Sequence, residues 1–216
     1  MNPSYTEIQS SIRSYFSESF GKYGAVPLGV GWAGEYTQTL RFAKLAGILR
    51  DKGRFTINEI GCGYGRFYRW LKENGYENFH YTGCDLVPEM IDFCRQTYIH
   101  ESEAQFFTLE NDEPLKAADY IVASGVFNIR LQYSRQEWTE FIQYMLKKMF
   151  AAAGTGIAFN LLTAHAINTP DAETIYYADP AQIFDFCARN LSTKLTLLHN
   201  YVLSDFTVFA WKSRKN

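Results

Sequence analysis

The sequence predicts an α/β fold: a mostly parallel sheet with helices on both faces, closed at its C-terminal end by an antiparallel hairpin. Three features predict it. From Phe55 onward, strand-like apolar runs alternate with helix-like ones, the pattern of a parallel sheet. The first such run, "FTINEI", leads into three glycines at alternate positions, Gly61, Gly63 and Gly65. The last two runs, "TKLTLLHNYVL" and "DFTVFAWK", have almost nothing between them. A parallel pair needs a crossover of about a dozen residues, so these two must pair antiparallel.

The elements follow in order. Ser4 and Glu7 form a capping box ahead of Ile8, Ile12, Tyr15 and Phe16 on one helical face. The glycine-rich stretch "GKYGAVPLGVGWAGE" reads as a loop, and "YTQTLRFAKLAGILRDKG" as a helix stopped by Gly53. After the first strand and its glycine turn, "RFYRWLKENG" is a helix ending at Gly75. "HYTGCD" is a strand, "PEMIDFCRQTY" a helix opening on Pro88, and "AQFFTL" and "ADYIVASG" are further strands. Ser134 and Glu137 repeat the capping box before a stripe of Trp138, Phe141, Ile142, Met145, Leu146 and Met149. A glycine turn and the strand "GIAFNLLT" come next, and Asp179 caps a last helix with Pro180 at its first position. With no linker or internal repeat, the expectation is one domain over residues 1–216, a helical cap over 1–53 and the sheet core over 54–216.

Composition bounds the function. Hydrophobic residues make up 47% and charged ones 20%, so the chain is globular. An aromatic content of 17% suits an aromatic-lined pocket or an aromatic core. The formal net charge of −2, with no basic stripe, argues against DNA. Cys62, Cys84, Cys94 and Cys187 sit at unrelated spacings. No metal site is expected, and the thiols read as reduced and buried in a cytoplasmic protein. The polar start "MNPSYTEIQSS" does not look like a secretory leader. The nearly uncharged stretch "MFAAAGTGIAFNLLTAHAI" contains two glycines and Asn160, which suits a helix end and a buried strand better than a membrane span.

A glycine-rich turn between a strand and a helix lets backbone approach a ligand, and in such sheets ligands bind at the carboxyl ends of the strands. Asp85 ends the second strand, where a carboxylate can accept from both ribose hydroxyls; it could equally cap the helix opening at Pro88. A dinucleotide site asks for G-x-G-x-x-G, whereas this chain has G-x-G-x-G, with Arg66 after the last glycine and Glu59 two residues before the first. A carboxylate there suits a cationic ligand better than a pyrophosphate, and S-adenosylmethionine, with sulfonium, ammonium and ribose but no phosphate, fits.

"NEIGCGYGRF" resembles motif I of the class I S-adenosylmethionine-dependent methyltransferases. "YTGCD" resembles their ribose-binding strand end, "ADYIVASGVFN" their fourth strand, and the terminal hairpin their antiparallel closure. The resemblance implies a Rossmann-like, mostly parallel seven-stranded sheet and S-adenosylmethionine as cofactor, with S-adenosylhomocysteine as product. It implies that Gly61, Gly63, Gly65 and the Tyr64 backbone border the methionine part and that Glu59 acts on the ammonium. Asp85 would hold the ribose, and Leu86 and Met90 would flank adenine. Leu109 and Glu110 would lie near the adenine edge, and Ser124 and Gly125 behind the sulfonium. Trp32 and Arg41 would stand over the cofactor, with Arg41 either on its carboxylate or simply at the surface.

The acceptor is less defined. Acid–base candidates are His165 after the fifth strand, His199 in a terminal strand, Tyr177, Asp179 and Asp205, with Asp179 reading first as a cap. The segment "NTPDAETIYYADP" is expected to form a lid, with Tyr177 facing inward. Tyr15, Phe16, Tyr23, Trp32 and Tyr36 would either cap the pocket or cover the sheet edge. "SGVFN" after the fourth strand is not the N/D-P-P-Y/F of DNA-base and glutamine methylation. A small-molecule acceptor at oxygen or nitrogen is the main expectation, in a monomer or homodimer with no membrane partner. A methyltransferase with an RNA or protein acceptor and a cofactor-binding protein of this fold without catalysis stay open, while the glycine spacing and the terminal hairpin disfavour an NAD-dependent oxidoreductase.

Overall fold

The computed structural model describes residues 4–49, 53–110, 113–165, 173–200 and 204–213. Its strands are β1 Phe55–Ile60, β2 Phe79–Asp85, β3 Ala104–Thr108, β4 Ala118–Ala123, β5 Ala153–Leu162, β6 Leu195–Leu198 and β7 Asp205–Trp211. They form one seven-stranded sheet in the order β3-β2-β1-β4-β5-β7-β6. β1 to β5 pair in parallel, and β7 lies antiparallel between β5 and β6, the closure that the short connection requires.

The helices are α1 Tyr5–Tyr23, α2 Glu35–Ala46, α3 Arg66–Glu73, α4 Pro88–Thr97, α5 Arg135–Ala152 and α6 Pro180–Asn190, with a short 3-10 turn at Pro27–Val30. Both capping boxes form, Ser4 with Glu7 and Ser134 with Glu137, and Asp179 caps α6 by accepting from the Ala181 N–H at 2.8 Å. Three boundaries differ from the sequence reading. α2 stops at Gly47, not Gly53, because the chain must turn to enter β1. α5 runs straight into β5 with no turn, since Gly154 and Gly156 serve in the strand. Gly156 admits no side chain there: a Cβ would come within 2.8 Å of the Ala210 carbonyl. β6 ends at Leu198, so His199 lies just past the strand.

Side chains alternate between two cores. On one face Ile121, Ala123, Ile157 and Phe159 pack with the apolar stripe of α5 and with α6. On the other Tyr120, Val122 and Ala158 pack with α2, α3 and α4. α1 belongs to the α5 face through Ile8 and Ile12, whereas α2 belongs to the opposite face through Phe42 and Leu45. The chain between them therefore crosses over the carboxyl edge of the sheet, as a strap. The described residues between β3 and β4 contain no helix, and α1 helps cover that part of the sheet. Among the described residues no helix is long and apolar enough to cross a membrane. The four cysteines are buried and unpaired.

Candidate active site

β1 and α3 are joined by Gly61–Gly65. All three glycines take positive φ, 71°, 53° and 76°, a region that L side chains rarely enter. The turn lays backbone along the carboxyl edge. Asp85, ending β2, secures it: its carboxylate accepts from the Gly63 N–H at 2.8 Å and the Val87 N–H at 3.0 Å. The bond from Val87 braces the start of α4, and Asp85 also lines the cavity. Burial pushes its carboxyl up, and the Val87, Gly63 and Leu86 N–H groups pull it back.

Above this edge lies a cavity with about 900 Å³ of empty space when its open mouth is counted. Its floor is Glu59 to Tyr64, Asp85 and the Ser124–Val126 turn. Leu86, Val87, Met90 and Leu109 line one side. The strap contributes Val30 and Trp32, and α2 contributes Gln38 and Phe42. α1 adds Gln9, Ile12 and Phe16, and α5 adds Phe141 and Met145.

The strap is fitted to the glycines beneath it. A Cβ on Gly63 would lie 3.0 Å from Val30, and one on Gly125 would lie 2.3 Å from the Trp32 indole. Trp32 is held from behind by Arg41, whose guanidinium stacks on the indole at 4.4 Å. Gln38 accepts from the Tyr64 hydroxyl at 2.9 Å, tying α2 to the glycine turn.

Glu59 is 2% exposed and accepts from the Tyr81 hydroxyl. Burial holds its carboxyl well above the usual range; Tyr81 opposes this and the nearby Asp85 adds to it. Ser124 Oγ is buried with no hydrogen-bond partner among the described residues. An acid and an orphaned hydroxyl thus stand near the glycine turn, with Asp85 beside them and apolar walls beyond. These residues fit S-adenosylmethionine, whose charges sit at one end, ribose in the middle and adenine at the other.

Other sequence candidates fall elsewhere. Arg41 is not among the cavity-lining residues; its Nε and Nη2 bond Asp205 at 3.0 and 2.5 Å. That ion pair also occupies the carboxylate of Asp205, which is 0% exposed. Gly65 starts α3, and its space is filled by Tyr98, Cys94 and Phe106. Glu110 is exposed and does not line the cavity. His165 and His199 are exposed, with ring centroids 6.4 Å apart, at the carboxyl edge but outside the lining. Of the aromatic cap, Phe16 and Trp32 line the cavity, whereas Tyr15, Tyr23 and Tyr36 are exposed.

The expected lid is instead pinned where it is described. Residues 166–172 lie outside the described residues. Beyond them the Tyr176 N–H donates to the Asn128 carbonyl, and Ala178 exchanges backbone bonds with Leu162 and Ala164. The Tyr176 hydroxyl bonds Thr139 at 2.7 Å. The Tyr177 carbonyl accepts from Arg135, and the residue does not line the cavity. Gln9, Val30, Gln38, Val126, Phe141 and Met145 were not singled out as site residues from the sequence. They read as ordinary helix-face and loop residues, and only the strap and the placement of α1 bring them here.

Fold and site together define a methyltransferase-type Rossmann-like protein. A family profile described as a methyltransferase domain matches residues 58–148. A Mycobacterium tuberculosis protein assigned as a methyltransferase by name only, Rv1506c, is 37% identical over 159 residues, 74% of this chain and 94% of its own length. The chain belongs to the methyltransferase family. The structure of Synechocystis magnesium protoporphyrin IX methyltransferase with bound S-adenosylmethionine aligns with a TM-score of 0.66 at 13% identity, over 95% of this chain and 97% of that one. Human N-acetylserotonin methyltransferase, also with S-adenosylmethionine, aligns with a TM-score of 0.67 at 13% identity, over 97% of this chain and 60% of its own. Both share the fold.

Proposed function

We infer that the protein transfers a methyl group from S-adenosylmethionine to a small molecule, at oxygen or nitrogen. The observation that carries this is the roofed cavity: Glu59, the glycine turn, Asp85 and Ser124 on the floor, Val30 and Trp32 overhead. The bound cofactor supplies an electrophilic methyl on sulfur. The chain supplies placement. Asp85 fixes the ribose, Glu59 and Ser124 face the charged end, and Leu86, Met90 and Leu109 enclose the base. The strap excludes water and confines the acceptor, and such alignment can lower a barrier by several kcal/mol.

Confinement under the strap favours a small acceptor over a polymer, and so does a net charge of −2. Two aligned neighbours carry small-molecule acceptors in their names, a magnesium porphyrin and N-acetylserotonin. A protonated acceptor has to lose its proton. Within this proposal it passes to solvent or to His165 or His199 at the same edge of the sheet.

Calorimetry and melting with S-adenosylhomocysteine test the cofactor. At a hundredfold excess over Kd, about 2.7 kcal/mol of stabilisation is expected. Turnover is then followed as S-adenosylhomocysteine release over a panel of hydroxyl and amine compounds. A melting curve unmoved by the ligand would sink the cofactor assignment. Binding with no turnover on any acceptor class would remove the enzymatic one.

A further inference from the structure

Gln9 lies in the second turn of α1, is only 5% exposed and lines the cavity. Its side-chain amide has no hydrogen-bond partner among the described residues. Its polar atoms are not among the described buried side-chain atoms that are sealed from solvent without a partner, so the amide opens to the cavity. An amide open to the cavity and without a protein partner can exchange its water for a ligand's polar edge.

Its place in the cavity says which part of the ligand. If Asp85 holds the ribose and Glu59 faces the charged end, the base must lie beyond Asp85, away from the glycine turn. Leu86 and Leu109, which follow β2 and β3, line the cavity together with Met90, Ile12, Phe141 and Met145. α1 is fixed over it, since Arg13, one turn after Gln9, donates to the Leu109 carbonyl at 3.4 Å. The surroundings are apolar, suited to the faces of a flat ring. A purine also needs its polar edge met, and Glu110 does not line the cavity. An amide carries a donor and an acceptor side by side, the complement of the adenine amino group and the ring nitrogen beside it.

We propose that Gln9 reads the base of the cofactor, its carbonyl accepting from the adenine 6-amino group and its NH₂ donating to the neighbouring ring nitrogen. This rests on S-adenosylmethionine being the cofactor. α1 is then part of the binding site, a recognition element supplied from outside the sheet core.

The test is calorimetry on the full chain with S-adenosylhomocysteine and its 6-deamino purine analogue, in wild type, Gln9→Leu and Gln9→Met. Wild type is expected to bind the analogue about tenfold more weakly. Both variants are expected to bind S-adenosylhomocysteine about tenfold more weakly than wild type, and to bind the two ligands alike. Wild-type protein that binds both ligands equally overturns the proposal without any variant. So does an equal preference in wild type and variants, with melting curves showing that the variants are folded. If wild type binds neither ligand, the cofactor assignment falls and this proposal with it.

Discussion

Asn160 Nδ2 donates to Asp205 Oδ1 at 3.0 Å, while its own Oδ1 accepts from the Gly125 N–H at 2.9 Å. Both side chains are 0% exposed. Asp205 in turn takes two bonds from Arg41, which backs the Trp32 indole. One buried polar chain thus runs from α2 through β7 and β5 to the backbone of the cavity floor.

Cutting this chain at different points should cost different amounts. Asp205→Ala strands the Arg41 guanidinium in the core, and breaking a buried pair costs about 3–5 kcal/mol. Asn160→Leu leaves the Gly125 N–H and one Asp205 lone pair unmet, a loss of about 1–3 kcal/mol. Urea unfolding is expected to give that order. S-adenosylhomocysteine affinity should fall in both, because Gly125 and Trp32 lose their support.

Gly125→Ala meets two obstacles. The residue sits at φ 70°, and the new methyl would collide with Trp32. Backbone strain of this kind costs about 1–3 kcal/mol, and the strap must also shift. Adding Trp32→Ala should recover the steric part and leave the backbone part. A double variant no more stable than Gly125→Ala alone would show that the strap already yields.

The pH dependence follows from Glu59. Its folded carboxyl is held above the ordinary value of 4.5 by burial. Its contribution to stability is therefore fully present below that value and lost as pH rises through the raised folded pKa. Glu59→Gln has no charge to bury, so its stability relative to wild type should improve over that rise. A cationic ligand favours the ionised acid. S-adenosylmethionine binding should strengthen with rising pH and release protons, and S-adenosylhomocysteine, which keeps the ammonium, should respond in the same direction. Calorimetry in buffers of different ionisation enthalpy reads the proton count.

Asp85→Ala should lower both quantities that Asp85 serves. Hydrogen bonds to a charged acceptor are worth about 1.5–3 kcal/mol, so S-adenosylhomocysteine affinity should drop about tenfold or more. The melting temperature should fall too, because the Gly63 and Val87 N–H groups lose their acceptor. A lower melting temperature with unchanged affinity would leave Asp85 a purely structural brace.

What could be read from sequence divides along a physical line. Caps, the glycine turn and the hairpin are set by neighbours a few residues apart, so Ser4, Ser134, Asp179 and Gly61–Gly65 were legible. Asp85 was legible because its distance from the turn is fixed by one helix and one strand. Arg41 was not: its choice of Asp205 over the cavity depends on β7, 164 positions away in sequence. Gln9 and Gln38 look like ordinary helix residues until the strap brings α1 and α2 over the edge. Tyr177 had the right place in the sequence for a lid, but backbone pairing of its neighbours with Asn128 and Leu162 decides where it sits.

The position of α1 also bears on how the protein is made. Ile8 and Ile12 belong to the same core as Trp138 and Phe141, and Tyr5 stacks on Tyr144 at 4.1 Å. During synthesis α1 is translated more than a hundred residues before α5. Until α5 arrives its apolar face has no cover, and long-range contacts of this kind slow folding and expose nascent chains to aggregation. α1 thus leaves the ribosome well before the helix it packs on, and its wall of the cavity can form only once α5 is present.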